Sequence, residues 1–270
     1  MTARKGSLTV VGTGIESFGQ LTAAARLELR RADKVFYLAA DPLTVGNVLK
    51  LNPRSESLRP FYAVGRNRLV TYSEMVKRVL AEVRLGRRVC LALYGHPGVF
   101  ALPAHSAIDI ARKEGFRATM LPGVSADACL FADLGIDPAT RGLQSYEATD
   151  FIVRRRKPDD TAGLLLWQVG VVGRLDYPTG PIDREKLSVL TETLLETYPA
   201  RHEAQLYEAA TIPGFAATIE TVRIGALHKG PVTTFTTMYV PPSRRATTDR
   251  ALMARLGIRP KDRLRCLRPS

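Results

Sequence analysis

The stretch "FYAVGRNRLVTYSEMVKRVLAEVRLG" places an arginine and a tyrosine where they could do acid–base chemistry. Thr71 and Glu74 have the spacing of a helix capping box, and apolar residues follow at helical intervals, so we predict a helix over 72–85. Tyr72 would then occupy the first helical position, near the positive end of the helix dipole, with Arg68 on the incoming loop. Both effects favour a phenolate over a phenol. Two interpretations stay open, a catalytic base and an ordinary tyrosine that packs on an amphipathic helix.

A second stretch, "YGHPGVF" at Tyr94–Phe100, follows an apolar run and precedes a segment with helical spacing, so we predict a strand-to-helix turn. In open α/β sheets such turns face ligands. Gly95 and Gly98 permit backbone conformations and close approaches that other residues do not, and Pro97 stiffens the loop. The stretch is either a rigid shelf for a small polar ligand or a purely structural turn. His96 alone would more often be a loop histidine than a catalytic one.

The glycine-rich turn Gly12-Thr13-Gly14 follows the first apolar strand. A dinucleotide fingerprint would need glycine where Ser17 stands, and no Gly-Lys-Ser/Thr follows to make a P-loop. What remains is a tight turn at the carboxyl end of a strand, which is either a ligand-facing wall or a plain connection.

The elements that would position these residues alternate between strands and helices. We predict strands at "LTVVG", "KVFYL", 88–93 and 117–121, and helices at 20–32, 72–85, about 100–114 and about 125–134. An irregular stretch separates "KVFYL" from the second helix. The alternation implies a parallel sheet with crossover helices.

The second half of the chain is predicted to be richer in strands. The polar, Pro-containing segment 136–160 is taken as the connection between domains. Beyond it, "AGLLLWQVG", "EAQLYEA", "IETVRIGAL" and "TTFTTMYVPP" read as strands, with a helix at 184–198. We therefore expect an N-terminal α/β domain over 1–140, a C-terminal α/β domain over 141–242 and a basic tail over 243–270.

Composition limits the class of protein. The chain has 270 residues, 45% hydrophobic and 24% charged, as in a folded globular protein. It has no apolar run that could span a membrane and no signal-peptide pattern at its start, so we expect a cytoplasmic protein without a membrane partner. Cys90, Cys129 and Cys266 are too scattered for a disulfide framework, and the histidine spacings match no metal motif. We expect no metal site.

The net charge of +13 is concentrated near the C-terminal end. From Ser243 to Ser270 the sequence has nine Lys or Arg and two Asp, an excess of seven positive charges. This segment is either a solvated tail or a contact for an anionic partner such as RNA or an acidic peptide. A second run, Arg154–Lys157, precedes Asp159 and Asp160 and is predicted to be an exposed connection.

Taken in order, "VGTG", "FYAVGRNRLVTY", "LYGHPGVF", "LPGVSADACL", "LLLWQ", "LYEA" and "TTMYVPP" resemble the tetrapyrrole-methylase superfamily. Within it, they are similar to the borosin peptide backbone α-N-methyltransferases. The resemblance runs over roughly residues 7–258. It implies two α/β domains of the class III methyltransferase type, with S-adenosylmethionine in the cleft between them, and a homodimer that methylates backbone amides of a ribosomally made peptide.

The resemblance also implies site residues. The catalytic group would be Tyr62, Arg68 and Tyr72. The cofactor contacts in the first domain would be Tyr94, His96, Val99, Phe100, Ser125 and Ala126. The second domain would complete the pocket with Gln168, Tyr207, Ala209, Thr236 and Thr237.

Several departures bear on the substrate. Relatives that methylate tetrapyrrole carbons resemble one another in a G-x-G-P-G-D loop and a later G-D-P, where this chain has "GTGIES" and "GHP". This weakens a porphyrinoid substrate. Fungal borosins carry the substrate peptide at the C-terminus of a longer chain, whereas this sequence ends in the short basic "GIRPKDRLRCLRPS", so we expect a separate precursor peptide.

Two other classes of function remain possible on the sequence alone. The first is a methyltransferase that acts on a tetrapyrrole or another small molecule with the same cofactor pocket. The second is a non-catalytic RNA- or peptide-binding module that uses the basic surface. Such a module would need neither the glycine-rich shelf nor the arginine–tyrosine pair, so nucleic acid is not the partner we expect.

Overall fold

The computed structural model describes residues 5–17, 19–177 and 179–259. The chain divides into two compact units. Unit 1 consists of Met1–Asp133, Leu175–Thr179 and Ala209–Ala216, and unit 2 consists of Leu134–Arg174, Gly180–Glu208 and Ala217–Ser270. Two short segments from the later part of the sequence therefore belong to the first unit. A single boundary along the chain cannot describe this division.

Unit 1 is built on a parallel sheet. In chain order its elements are β1 (Ser7–Gly12), α1 (Ala23–Arg31), β2 (Lys34–Leu38), α2 (Pro42–Leu51), β3 (Ser55–Ser57), α3 (Arg68–Arg84), β4 (Arg88–Leu93), α4 (Leu102–Lys113), β5 (Arg117–Met120) and α5 (Ala126–Leu134). The strand order within the described residues is β3-β2-β4-β1-β5. Val89, Cys90, Leu91 and Ala92 of β4 are all buried, as expected for a central parallel strand covered on both faces.

The predicted alternation of strands and helices in this unit is confirmed, with one omission. The stretch after β2 that was expected to be irregular contains α2 and β3. The Asp41 carboxylate caps α2 by accepting from the Thr44 amide at 2.9 Å, and Pro42 occupies the first turn. These are ordinary start signals, but Gly46 and Asn47 interrupt the apolar pattern that would have supported them.

Unit 2 is built on a mixed sheet. Its elements are α6 (Pro138–Arg141), β6 (Leu143–Glu147), α7 (Ala148–Val153), β7 (Gly163–Trp167), α8 (Arg184–Leu195), β8 (Glu203–Glu208), β9 (Thr218–Arg223), β10 (Thr237–Val240) and α9 (Arg250–Arg255). The strand order in the described residues is β6-β7-β10-β8-β9, with β6 and β7 parallel and the other pairs antiparallel. The predicted richness in strands is confirmed.

Two predictions for this half were wrong in detail. The segment 136–160 is not a plain connection, because it contains β6, which pairs along its length with β7. Five residues are too few to show a strand period among polar neighbours. The strand expected over "IETVRIGAL" ends at Arg223, and a 3₁₀ turn at Ile224–Lys229 follows and packs its apolar side chains into the core.

The start of the basic tail is anchored. The Arg244 guanidinium donates two hydrogen bonds of 2.6 Å to the Asp160 carboxylate, and the backbone amides of Ser243 and Arg244 donate to the Asp160 carbonyl. Asp160 is therefore buried, whereas Arg154–Lys157 are exposed as predicted. Lys261, Asp262, Arg263, Arg265, Cys266 and Arg268 lie outside the described residues.

Among the described residues, none of the helices combines the length and the apolar character that spanning a bilayer requires.

Candidate active site

Tyr62, Arg68 and Tyr72 lie around the start of α3 in unit 1. The Asn67 side chain caps this helix by accepting from the Leu69 amide at 2.8 Å, so Arg68 is the first helical residue. Tyr72 follows one turn later. Residues four apart share a helix face, which places Arg68 and Tyr72 on the same side of α3.

This start corrects the predicted capping box. The helix begins four residues earlier than Tyr72, and Thr71 is a buried helical residue. The Glu74 carboxylate pairs with Arg66 of the preceding loop at 2.7 Å. The Asn67 cap precedes the one we chose, and "RLV" continues the helix without a breaker. The dipole argument for Tyr72 therefore loses most of its force, since that field falls off within the first turn.

The rings of the site tyrosines touch. The ring centroids of Tyr62 and Tyr72 lie 6.4 Å apart with the rings nearly perpendicular, and a hydrogen bond joins their side chains. Burial raises the pKa of the Tyr62 hydroxyl above its usual range, and the neighbouring Tyr72 and Tyr177 raise it further while Arg68 opposes them. Tyr62 therefore stays protonated and is a hydrogen-bond donor. A hydrogen bond that Tyr62 donates to the Tyr72 oxygen agrees with that shift.

Tyr177 is a neighbour that the sequence analysis missed. Its ring lies 4.8 Å from the Tyr62 ring, centroid to centroid, at a tilt of 42°. The segment that carries it is joined to the start of α3, because the Arg68 amide donates to the Leu175 carbonyl at 2.8 Å and Asn67 forms a β-bridge with Asp176. "RLDYPTG" has the composition of a turn, and nothing in it indicates a partner in the first unit.

The predicted shelf follows β4. Gly95 has a φ of +70° and exchanges backbone hydrogen bonds with Gly14, of 2.9 and 3.4 Å. A Cβ on Gly12 would lie 2.2 Å from the Gly95 carbonyl oxygen, and one on Gly98 would lie 3.0 Å from the Met120 sulfur. The glycines are thus needed for close backbone packing. The first glycine-rich turn packs directly against this shelf.

Side chains of the shelf hold its shape. His96 accepts at Nδ1 from the Gly98 amide at 2.9 Å, and His105 Nε2 lies 3.0 Å from the Gly98 carbonyl. The Val99 amide donates to the His96 carbonyl. Phe100 adopts a φ of +50°, which is strained for a non-glycine residue. Its side chain is 48% exposed, and that of Tyr94 is 38% exposed. Strain that the surrounding structure maintains is characteristic of ligand sites.

Ser125 and Ala126 lie at the next turn along the same edge. A Cβ on Gly123 would lie 2.9 Å from the Gly95 carbonyl oxygen and 3.0 Å from the Gly12 Cα, so the turns after β1, β4 and β5 meet. The Ser125 hydroxyl hydrogen-bonds to the Asp127 carboxylate, and α5 begins at Ala126. The carboxyl ends of three strands thus meet in one closely packed group of turns.

The second set of predicted cofactor residues lies in unit 2. Thr237 pairs with Tyr207 across β8 and β10, and Gln168 follows β7 with a φ of +59°. Because β10 runs antiparallel to β7 and β8, its start lies beside their ends. Thr236 there donates from its hydroxyl to the Glu208 carboxylate at 2.8 Å. The structure thus brings four predicted residues to one edge of this sheet and adds Glu208, which the sequence analysis missed.

Ala209, which was predicted in the second domain, directly follows β8 and begins the segment Ala209–Ala216 of unit 1. The Thr211 carbonyl accepts from the Ser17 amide at 2.8 Å, which ties this segment to the loop after β1. The strand pattern of "EAQLYEA" gave no sign that the chain changes unit directly after Glu208.

The residues of the first edge fit a cofactor that is held largely by backbone atoms. Three packed glycines leave no room for side chains there, and Phe100 at positive φ is set in a conformation that isolated residues avoid. Within the described residues, no three His, Cys, Asp or Glu side chains are grouped as potential metal ligands.

The sequence matches the family of Tetrapyrrole (Corrin/Porphyrin) Methylases over residues 7–226. The chain therefore belongs to the tetrapyrrole methylase family, a family of methyltransferases. Its two-sheet α/β architecture is similar to that of uroporphyrin-III-C-methyltransferase from Thermus thermophilus, with a TM-score of 0.63 at 21% identity over 88% of this chain and 93% of that one. The cobalt precorrin-4 methyltransferase gives 0.60 at 15%, over 87% and 94%. The predicted fold is confirmed.

Curated relatives are more similar in sequence. The chain is 42% identical over 264 residues to the methyltransferase/ribosomally synthesized cyclic peptide omphalotin A precursor of Omphalotus olearius, covering 95% of this chain and 63% of that protein. It is 39% identical to a type I borosin cyclic peptide precursor of Coprinopsis marcescibilis, over 94% and 68%. The resemblance to the borosin group is confirmed. The chain spans about three-fifths of the length of most of the relatives it matches.

Proposed function

We propose that this protein transfers methyl groups from S-adenosylmethionine to backbone amide nitrogens of a precursor peptide. The observation that carries the proposal is the group formed by Tyr62, Arg68 and Tyr72, in which a hydrogen bond joins the two tyrosine side chains at the helix start that Arg68 begins. The names of relatives about 40% identical, which combine a methyltransferase with a cyclic-peptide precursor, support the substrate class.

The chemistry must overcome a weak nucleophile. An amide nitrogen attacks poorly, because its lone pair is delocalised into the carbonyl. When bound, S-adenosylmethionine supplies an electrophilic methyl group on a sulfonium. The residues of the chain then have to raise the electron density on nitrogen and take up its proton.

In our proposal Tyr72 acts as a phenolate, which takes up the amide proton directly or through a water and becomes a phenol. A hydrogen bond joins its side chain to that of Tyr62, and the raised pKa of Tyr62 favours Tyr62 as the donor. Arg68, on the same face of α3, keeps negative charge on Tyr72 favourable. Tyr62 turns its hydroxyl hydrogen to the substrate carbonyl oxygen as charge develops there, which stabilises the transition state by about 3 kcal/mol. The proton leaves nitrogen as the new N–C bond forms, so no charge is stranded on the peptide.

The cofactor would be held by both sets of edge residues. In unit 1 we assign Tyr94, His96, Val99, Phe100, Ser125, Ala126 and Ala209, and in unit 2 Gln168, Tyr207, Thr236 and Thr237. The packed glycine turns, together with the positive φ of Phe100 and Gln168, support this assignment.

The test is the variant Tyr72→Phe. We expect it to bind S-adenosylmethionine in calorimetry with an affinity close to wild type, while mass spectrometry finds no methylated peptide. Tyr146→Phe, at a half-buried tyrosine packed on the core of unit 2, is the matched control and should retain activity. Full turnover by Tyr72→Phe would remove the tyrosine from the proposed mechanism.

The expectation of a separate precursor is tested in the same assay by adding the peptide as its own molecule. Stepwise addition of methyl masses to backbone amides supports it. If such peptides stay unmodified while a peptide joined covalently to the chain is methylated, the substrate acts only in cis.

A small-molecule methyltransferase is the second candidate, because the family and its solved structures include enzymes named for porphyrins and corrins. The sequence "GHP" at residues 95–97 departs from their G-D-P pattern and disfavours it. Methylation of a porphyrinogen by a preparation that leaves all tested peptides unmodified would favour this candidate.

A homodimer is also proposed. Four apolar side chains beside the catalytic group are exposed: Val64 by 79%, Leu69 by 61%, Val70 by 48% and Leu175 by 69%. Such a surface suits a partner chain better than water. Light scattering coupled to chromatography should give twice the chain mass, and a monomer mass at micromolar concentration would contradict the dimer.

A further inference from the structure

The edge of the unit 1 sheet opposite the proposed active site is strongly basic. Here the strands begin and the preceding helices end, in segments 5–7, 28–34, 50–56, 82–88 and 112–117, which we call the basic edge. These segments contain twelve Lys or Arg and five Asp or Glu, an excess of seven positive charges. The other described residues of unit 1 contain six basic and seven acidic residues.

The basic edge is continuous across the sheet. Arg88 of β4 pairs in register with Ser7, which pairs in turn with Arg117 of β5. At the other side, Arg54 donates to the Ala32 carbonyl and links the ends of α2 and α1. Strands are about 4.8 Å apart, so five of them span about 19 Å.

The acidic residues of the basic edge are engaged within it. Four of them form ion pairs there: Glu28 with Arg31 at 3.8 Å, Glu56 with Lys34 at 2.8 Å, Glu82 with Arg87, and Glu114 with Arg84 at 2.6 Å. The fifth, Asp33, accepts from the Arg88 amide at 2.8 Å. The excess is therefore carried by exposed cations that include Arg30, Lys50, Lys113 and Arg117.

Helix stability explains only part of this pattern. Cations in the last turn of a helix interact favourably with its dipole, which suits Arg30, Lys50 and Lys113. Lys34 and Arg117 begin strands and gain nothing from a helix dipole. Crowding like charges on one edge costs folding free energy, so an anionic partner is the simpler explanation for keeping them there.

We propose that the basic edge docks an acidic segment of the polypeptide that carries the methylated residues. This inference rests on the proposed function, because a peptide whose residues enter the active site has to be held by a part that stays outside it. An extended acidic segment of about six residues would cover the 19 Å. A nucleic acid fits less well, since Phe116, the single aromatic residue of these segments, packs half-buried on the core and offers no stacking surface.

The position of the edge sets a spacing. Helix α3 runs 17 residues from Arg68, in the catalytic group, to Arg84, on the basic edge. At 1.5 Å per residue this is about 25 Å. An extended chain covers about 3.3 Å per residue, so at least about eight residues must separate the acidic segment from the amide that is methylated.

The experiment measures fluorescence anisotropy of a dye-labelled peptide of alternating Glu and Gly against the full chain at about 50 mM NaCl. A neutralised variant carries Arg30→Gln, Lys50→Gln, Lys113→Gln and Arg117→Gln. Its control carries Arg26→Gln, Lys77→Gln, Arg201→Gln and Arg223→Gln, which remove the same charge at exposed positions outside the segments of the basic edge. We expect the Kd to rise about tenfold in the neutralised variant and less than about threefold in the control.

Other probes decide between partners. A Gln–Gly peptide should not bind, whereas a single-stranded RNA oligonucleotide bound more tightly than the Glu–Gly peptide, with the same dependence on the four cations, would overturn the assignment to a peptide. Equal weakening in both variants would overturn the localised edge, as would no binding by wild type. Methylation of a saturating short peptide without acidic residues is measured in parallel. If wild type fails there, the proposed function fails, while the anisotropy result still decides on the edge.

Discussion

Replacement of Tyr62 by Phe separates two roles that its hydroxyl could have. In the structure the hydroxyl is joined by a hydrogen bond to Tyr72, and its raised pKa keeps it protonated. Tyr62→Phe retains the ring that contacts Tyr72 and Tyr177 and removes only the donor. The fold of the site should therefore survive, and a loss of activity reports on the hydrogen bond.

The size of the loss distinguishes the roles. A neutral hydrogen bond present before and after reaction contributes about 1 kcal/mol, or roughly fivefold. A donor to oxygen that becomes charged in the transition state contributes about 3 kcal/mol, or roughly a hundredfold. Because the half-buried Tyr62 packs on the rings of Tyr72 and Tyr177, which limit the access of competing water, we expect the larger value, about a hundredfold in kcat.

The assay is single-turnover methylation of a peptide at saturating S-adenosylmethionine, followed by mass spectrometry. The affinity for S-adenosylmethionine should change less than about twofold, since Tyr62 is not among the cofactor residues. Because the pKa lies above the usual value of about 10, the wild-type rate should show no loss from Tyr62 ionisation between about pH 8 and 10. A decrease of kcat smaller than about fivefold in Tyr62→Phe would refute the transition-state role.

Further consequences concern the surroundings of the site. Tyr177→Phe keeps the ring contact with Tyr62 and should leave kcat within about twofold of wild type. Tyr177→Ala removes a contact of about 1 kcal/mol and should lower kcat about fivefold with an unchanged KM for S-adenosylmethionine. Equal rates in both variants would show that Tyr177 does not position Tyr62. Gly12→Ala would place a Cβ 2.2 Å from a backbone oxygen and should lower the free energy of unfolding, measured by urea denaturation, by about 3 kcal/mol. Gly46→Ala, where the added Cβ has open space on α2, should leave that free energy unchanged or raise it. At alkaline pH the unfolded chain loses the Tyr62 proton first, so the stability from this group is present below about pH 10 and is lost as pH rises. The free energy of unfolding should therefore decrease more in wild type than in Tyr62→Phe between about pH 9 and 11. Parallel curves of unfolding free energy against pH would contradict the raised pKa.

The parallel sheet of unit 1 was predictable because its signals are local. Strand β4 is a run of buried apolar residues, and α4 carries its apolar residues at helical spacing, so both were placed to within about two residues at each end. The start of α3 was misplaced because two capping candidates, Asn67 and Thr71, stand four residues apart. The sequence does not show whether the Asn67 or the Thr71 side chain accepts from a backbone amide of the helix. That depends on the conformation of the preceding loop, where Arg66 pairs with Glu74.

The catalytic group was found in part, and its missing member was not predictable. Tyr62, Arg68 and Tyr72 share one short stretch, so a family pattern could indicate them together. Tyr177 reaches Tyr62 only because Leu175–Thr179 returns to unit 1, and the return depends on backbone pairing with Asn67, to which side-chain type contributes nothing. Ala209–Ala216 is a second return to unit 1, tied by backbone to the loop after β1, and the sequence did not indicate it either.

The two edges of the first sheet can work independently for an electrostatic reason. About 25 Å separates the basic edge from the catalytic group along α3, and the Debye length at physiological ionic strength is about 8 Å. The edge can therefore attract an acidic segment without altering the charge balance of Arg68 and Tyr72. Neutralising edge cations should then change the concentration of acidic peptide needed for half-maximal rate and leave kcat unchanged. Charge changes within the catalytic group should change kcat and leave the concentration of acidic peptide needed for half-maximal rate unchanged.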